Sequence, residues 1–248
     1  SGLISGTGGL TKNGSSTLTL TGANTYNGTT TVNAGTLQIG DQTNNTASVA
    51  GNITLSGGNL SYNYNADNYN ANGNITLTAQ STISNLNSSR QLNLNGTLNG
   101  GGQTLNIYSG NGTLFLAQTI GTALGQVNIL SGVAGSANNS AWSGAAVNVA
   151  SGAQFLTWST HTLSNNFTLN GGTGPNGKGA LYVDTGVATY SGTITLASAT
   201  DSSIGTIGGS MVISGQVTGS GSLTKIGNNT LTLSGNNTYT GNTTVSAG

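Results

Sequence analysis

Few side chains in this chain of 248 residues can do chemistry. The acids are Asp41, Asp67, Asp184 and Asp201, and the bases are Lys12, Arg90, Lys178 and Lys225. His161 is the single histidine, and there is no Glu and no Cys. Glycoside hydrolysis needs two carboxylates flanking one bond. Asp184 and Asp201 lie about 17 residues apart, so a chain wound at that spacing would stack them on one side. Both sit in turn-like contexts, Val183-Asp184-Thr185-Gly186 and Thr200-Asp201-Ser202, which favour a turn role instead. The segment Gly172-Thr173-Gly174-Pro175-Asn176-Gly177-Lys178 fits two phosphate patterns, G-x-G-x-x-G and G-x-x-x-x-G-K. Each works only where a helix follows and its N-terminus meets the phosphate. Here Gly179 stands where the second pattern has Ser or Thr, and Ala180-Leu181-Tyr182-Val183 reads as a strand. In a chain with 42 glycines the segment is expected to be a plain loop. One histidine cannot build a His-rich metal site, no G-x-S-x-G supplies a serine nucleophile, and no G-G-x-G-x-D supplies calcium ligands. No catalytic, cofactor-binding or metal residue is therefore assigned.

Recognition has better candidates than catalysis. Tyr62, Tyr64 and Tyr69 lie in Ser61-Tyr62-Asn63-Tyr64-Asn65-Ala66-Asp67-Asn68-Tyr69-Asn70, where Asn and Tyr alternate. On a strand, Tyr62 and Tyr64 share a side. Exposed, they would stack on sugar rings or on a neighbouring fibre. The competing reading is a polar loop whose tyrosines fold back over the end of a coil. Trp142 and Trp158 each adjoin Ser or Thr, and packing is favoured for Trp158, which follows Phe155-Leu156-Thr157. Thr-x-Thr units such as Thr17/Thr19, Thr29/Thr31, Thr76/Thr78, Thr193/Thr195 and Thr230/Thr232 would suit an ice-binding face only as a regular array. Their sequence spacing is not one per coil, which predicts a broken array on ordinary solvent-facing strands.

The elements that position these residues are short strands. Apolar residues recur in pairs at alternate positions, as in Leu18/Leu20, Leu37/Ile39, Ile53/Leu55, Leu105/Ile107, Phe167/Leu169 and Leu231/Leu233. A period of two is a strand with one apolar face. Gly-Asn, Asn-Gly, Ser-Gly and Gly-Gly punctuate the runs. Only 3% of residues are charged, and Gly, Asn and Thr dominate in place of helix formers, which excludes a helical bundle or coiled coil. A formal net charge of zero excludes disorder driven by charge. No apolar run approaches the ~18 residues of a membrane span. Four basic residues cannot make a nucleic-acid face. The absence of Cys excludes a disulfide framework and fits an exported bacterial protein.

The chain repeats. Residues 1–35 and 214–248 align without a gap at an offset of about 213, with roughly 22 of the 35 pairs identical. Leu10-Thr11-Lys12 matches Leu223-Thr224-Lys225, and Asn24-Thr25-Tyr26 matches Asn237-Thr238-Tyr239. The chain thus reads as one full period plus the start of the next, an excerpt of a tandem array. Short strands with polar turns allow a sandwich, a barrel or a β-solenoid. The solenoid is favoured because the sequence repeats, because 34% hydrophobic residues suit a thin core, and because Asn, Ser and Thr can stack in ladders between coils. At ~20 residues per coil, one period makes about ten coils and on the order of 50 Å of axis. Residues 1–248 are then a single continuous all-β solenoid.

A family resemblance is carried by three phrases: Ile4-Ser5-Gly6-Thr7-Gly8-Gly9-Leu10-Thr11-Lys12, Thr17-Leu18-Thr19-Leu20-Thr21-Gly22-Ala23-Asn24-Thr25-Tyr26, and Thr30-Thr31-Val32-Asn33-Ala34-Gly35-Thr36-Leu37-Gln38-Ile39-Gly40. Together they closely resemble the autotransporter passenger-associated strand repeat, and residues 217–248 resemble it again. The resemblance implies a right-handed parallel β-helix on a secreted or surface-anchored bacterial passenger. It implies a stalk, an adhesin or a self-associating fibre, with no catalytic residues to transfer. The expected role is a non-enzymatic structural segment, extracellular or on the cell surface. The expected partners are neighbouring repeats of the same chain or identical subunits, and neither nucleic acid nor a membrane. Open coil ends should be covered by the next repeat, with a strand like Thr36-Leu37-Gln38-Ile39 following Gly248. The alternative is an adhesin holding glycans or cell surfaces through Tyr62, Tyr64 and Tyr69. A polysaccharide-active enzyme is a more distant third.

Overall fold

The computed structural model describes residues 2–43, 45–66, 68–87, 89–116, 120–136, 142, 144–197 and 201–248. Asp67 lies outside them. Among these residues the chain forms 27 strands and one 3-10 turn, Pro175–Gly177. The strand pairings are parallel, and each joins strands about one coil apart in sequence. Such pairing cannot come from hairpins, which give antiparallel neighbours. It winds the backbone into a β-solenoid of about ten turns.

The strands fall into three columns, here called faces. Face I begins with Leu10–Lys12, Thr30–Val32, Ile53–Leu55, Ile75–Leu77, Leu98–Asn99 and Ile120–Thr122. Later in the chain the same sector, after face III and before face II, holds His161–Leu163, Val187–Tyr190, Ser210–Ile213 and Leu231–Leu233. Face II runs from Thr17–Leu20 and Thr36–Ile39 to Ile194–Leu196 and Val217–Gly219. Face III runs from Tyr69–Ala71 to Leu223–Ile226 and Thr243–Val245. Two long strands, Thr104–Leu116 and Gln126–Ser136, run through the corner from face II to face III, and the ladder between them shifts register there, on either side of Tyr108.

Alternation decides what goes inside. On face II, Leu37, Leu60, Ile83, Ile107, Ile129, Val149, Leu169 and Leu196 stand one above another in register, all fully buried. Fully burying each such side chain contributes about 1.5–3 kcal/mol, comparable to the backbone entropy lost by one or two ordered residues. Much of the cohesion must therefore come from the ladders between coils. Side chains extend those ladders. Asn128 donates to Asn106 at 2.8 Å, and Asn148 donates to Asn128 at 3.0 Å.

The threonine spacing predicts a broken array, and the array is broken: face I holds a short column that ends where Thr76 pairs with Asn99. Thr11, Thr31, Thr54 and Thr76 oppose one another in four successive coils. Coil length varies because the corners absorb insertions, while hydrogen bonding holds the strand register. Constant sequence spacing is therefore not needed for a regular column.

Candidate functional site

The most specific polar geometry in the chain occurs at two turns. Lys12 ends the strand Leu10–Lys12, two residues after Leu10, so the pleat turns it to the inner side. It is 6% exposed. A buried ammonium is costly unless its hydrogens find acceptors. Lys12 Nζ donates to the carbonyls of Asn13 at 3.0 Å, Gly14 at 2.7 Å and Ala34 at 3.1 Å. The first two close its own corner, and the third belongs to the same corner one coil on. A single cation thus clamps two successive turns.

Lys225 repeats the arrangement. It too is 6% exposed, and its Nζ donates to the Gly227 carbonyl and, at 2.6 Å, to the Ala247 carbonyl. A tyrosine accompanies each clamp. Tyr26 and Thr30 share a hydroxyl hydrogen bond of 2.6 Å, as do Tyr239 and Thr243. The two sites differ in what lies above them. Ile53–Leu55 pairs over Thr30–Val32, and Val32 is 0% exposed. No described strand pairs over the far side of Thr243–Val245, and Val245 is 63% exposed.

A family model described as Passenger-associated-transport-repeat matches residues 10–39 and 223–248, the two segments that carry the clamps. Both segments are similar to that repeat, and the rest of the chain lies outside the match. No curated protein and no solved structure matches it. Each repeat contributes a strand carrying the clamp lysine, a second strand, the Asn-Thr-Tyr corner and a third strand. Between the two matched segments, the described residues of 40–222 continue the same solenoid outside the family match. Replacing the clamp is a direct test of its weight. Lys12→Met keeps the stem and strips the donors from three carbonyls. Orphaned buried acceptors cost about 1–3 kcal/mol each, offset by no longer desolvating an ammonium. The expected net loss is about 1–3 kcal/mol, read as a lower midpoint in urea unfolding.

The other candidates are dispersed between the repeats. Tyr62 and Tyr64 are 4% and 3% exposed, so the exposed pair is not what forms. The rings fold inward as a stack. Tyr64 and Tyr69 lie 3.6 Å apart at 11°, and Tyr62 lies 6.2 Å from Tyr64. The Tyr64 and Tyr69 hydroxyls both donate to the Ala47 carbonyl. Burial pushes the phenols of Tyr62, Tyr64 and Tyr69 above the ordinary tyrosine range. The cause is local: among the described residues no strand forms in the face III sector between Thr36–Ile39 and Ile53–Leu55, and the rings turn toward that sector at Ala47.

Packing is favoured for Trp158 by the sequence, yet Trp142 is the tryptophan that the core encloses. Trp142 is buried against Phe155, with ring centroids 5.2 Å apart. Trp158 is 47% exposed, edge-on to Phe115 at 5.8 Å on the outside of face III. Phe115, Val133, Leu156 and Tyr182 form a small apolar cluster separate from the main core. Tyr182 donates to Asp184 at 3.0 Å, and its phenol is pushed up to about 12, by burial first and by that carboxylate second.

Asp184 and Asp201 do not meet. Leu181 pairs with Ile204, so Asp184 aligns with residue 207, six positions beyond Asp201. That is roughly 20 Å along the strand direction, too far for a hydrolytic pair. The glycine segment 172–178 forms the 3-10 turn and then the strand Leu181–Val183, with no helix to meet a phosphate. Lys178 lies over the Tyr182 ring, 5.0 Å from its centroid. His161 is half-buried at the start of its strand, with Ser159 Oγ 3.4 Å from Nε2. The lysine clamp was missed by the chemical reading. Its signal was present: a cation at the inward parity of an apolar strand, twice, at matching positions.

Proposed function

We propose that this chain is a non-enzymatic, mechanical length of a bacterial passenger displayed at or beyond the cell surface. It acts as one period of a rod in which each unit seats the next. The observation that carries the reading is the pair of equivalent clamps, about 213 residues apart on one continuous stack of parallel coils. Parallel ladders along the axis support a mechanical role, since each coil is tied to the next by backbone hydrogen bonds on several faces. At ~4.8 Å per coil, a period of about 213 residues adds about 46 Å of length. Deleting one period from a displayed array should shorten the rod by that amount and leave display intact, as measured by electron microscopy. An unchanged rod length, or hydrolysis of a polysaccharide by the purified chain, would defeat the reading.

A second reading, an adhesin for glycans, is favoured by one observation, the half-exposed Trp158 ring against Phe115. Aromatic faces at a wet surface suit sugar rings. The contact would then run through Trp158 and not through the inward tyrosines. Trp158→Ala should abolish glycan-array binding if this reading holds, and leave rod assembly unchanged.

A further inference from the structure

We infer that, in a tandem array of this unit, each period is turned about the rod axis by one face relative to the period before it. The inference rests on the proposed tandem arrangement and adds its geometry.

The count comes from face II, which is described in every coil. Its strands begin at Thr17, Thr36, Asn59, Ser81, Thr104, Gln126, Ala146, Phe167, Ile194 and Val217, ten strands and nine turns. From Val217–Gly219 the chain passes to Leu223–Ile226 on face III, then to Leu231–Leu233 on face I. Leu231–Leu233 is the sequence equivalent of Leu18–Leu20. One period is therefore nine turns and two-thirds, not a whole number. The first repeat starts on face I and passes to face II. The second starts on face III and passes to face I.

The structure also shows what sits on such a surface. In the first repeat, Thr17–Leu20 is covered in register by Thr36–Ile39, with Thr19 opposite Gln38. Thr30–Val32 is covered by Ile53–Leu55, with Val32 opposite Leu55. The second repeat offers the same strands uncovered. Around them an open groove of about 290 Å³ is lined by Leu223, Leu231, Leu233 and Val245. This groove is the open end of the apolar thread. Its fitting occupant is the segment equivalent to residues 36–55 of a following copy, because that sequence already fills the equivalent site inside this chain. Pairing follows side-chain register and carries no memory of face. The following copy's Thr36–Ile39 must then lie on face I, where the first copy's lies on face II.

Every later element shifts with it. A feature present once per period, such as Trp158, points to three sides in turn and returns after three periods. That is 29 coils, about 140 Å of axis. A partner that reads one side of the rod meets equivalent surface only at that interval. The rod as a whole presents three equivalent sides.

The test uses a chain of two periods, residues 1–248 followed directly by a second copy of 36–248. The natural chain has no cysteine, so introduced pairs are unambiguous. Three cysteine pairs are treated with a short bifunctional thiol reagent. Thr19→Cys with Gln38→Cys of the first copy is the control, since these residues are opposed in the structure. Thr232→Cys with Gln38→Cys of the second copy reports the rotated stack. Thr238→Cys on the face II sector, with the same second-copy Gln38→Cys, reports an unrotated one. Cross-linking at Thr232 as complete as in the control, with about tenfold less at Thr238, is the expected result. Cross-linking at Thr238 instead overturns the rotation and leaves the rod reading standing. Failure at both, with the control intact, overturns the rod reading itself. The cysteine-free two-period chain gives an independent readout by electron microscopy. There the second unit should superpose on the first after a shift of about 46 Å and a third of a turn. Superposition with no turn overturns the inference.

Discussion

Phe155→Ala is expected to cost about 3–5 kcal/mol, the range for emptying a buried aromatic site. Phe155 is fully buried at the centre of a ring cluster. Its centroid lies 5.2 Å from Trp142, 4.9 Å from Phe167 and 6.5 Å from Tyr190, all in edge-on geometry. Such contacts add about 0.5–1.5 kcal/mol each beyond area burial. The site cannot collapse easily, because backbone ladders hold the coils on either side at a fixed spacing. In a stack where each coil touches only its neighbours, a weak coil also divides the cooperative unit. Thermal unfolding of the variant should therefore split into two transitions, and amides of Phe155–Thr157 should exchange faster than those near Leu37. Phe155→Leu, which keeps much of the volume, should cost under about 2 kcal/mol and melt in one step. A single unshifted melt for Phe155→Ala would refute the inward cluster.

Alkaline unfolding is the second large effect. Burial raises the phenols of Tyr62, Tyr64 and Tyr190 above the ordinary tyrosine value of 10. In the folded chain these groups stay protonated where the unfolded chain ionises. Their contribution to stability is thus fully present below pH 10 and is lost as pH rises from 10 toward the folded values. Each tyrosine contributes a slope of about 1.4 kcal/mol per pH unit, so the three together give about 4 kcal/mol per unit. Urea midpoints should be level up to about pH 9 and fall steeply beyond pH 10. Tyr190→Phe should lower the slope by about 1.4 kcal/mol per pH unit, at a cost of about 1 kcal/mol for its hydrogen bond with Thr157. A slope unchanged by that substitution would show that the phenol is not buried as described.

Strand parity accounts for both the successes and the misses of the sequence reading. The pairs Leu37/Ile39 and Leu105/Ile107 were legible because alternation marks an inner side, and all four are buried. The same rule, carried two residues further, would have placed Tyr62 inside after Leu60. It would also have placed Trp158 outside, since Phe155 and Thr157 point in. Composition distracted from parity at both places: a run of Asn suggested a loop, and a tryptophan suggested a core. The lysine clamp follows the same logic, because Lys12 shares the parity of Leu10. The threonine column on face I was not legible. It depends on register between strands 20 to 23 residues apart, which hydrogen bonding sets and sequence spacing blurs.

The strands Thr104–Leu116 and Gln126–Ser136 have a consequence for how the rod bears force. Each continues from face II into face III, so two adjacent coils pair on both sides of one corner, with the register shift at Tyr108 forming the crease. A crease resists flexing in both directions, as a bent metal sheet does. Elsewhere the sides are joined by short corners that can open separately. Tugged from its ends, the chain should peel inward coil by coil from its extremities and stall at this central girder.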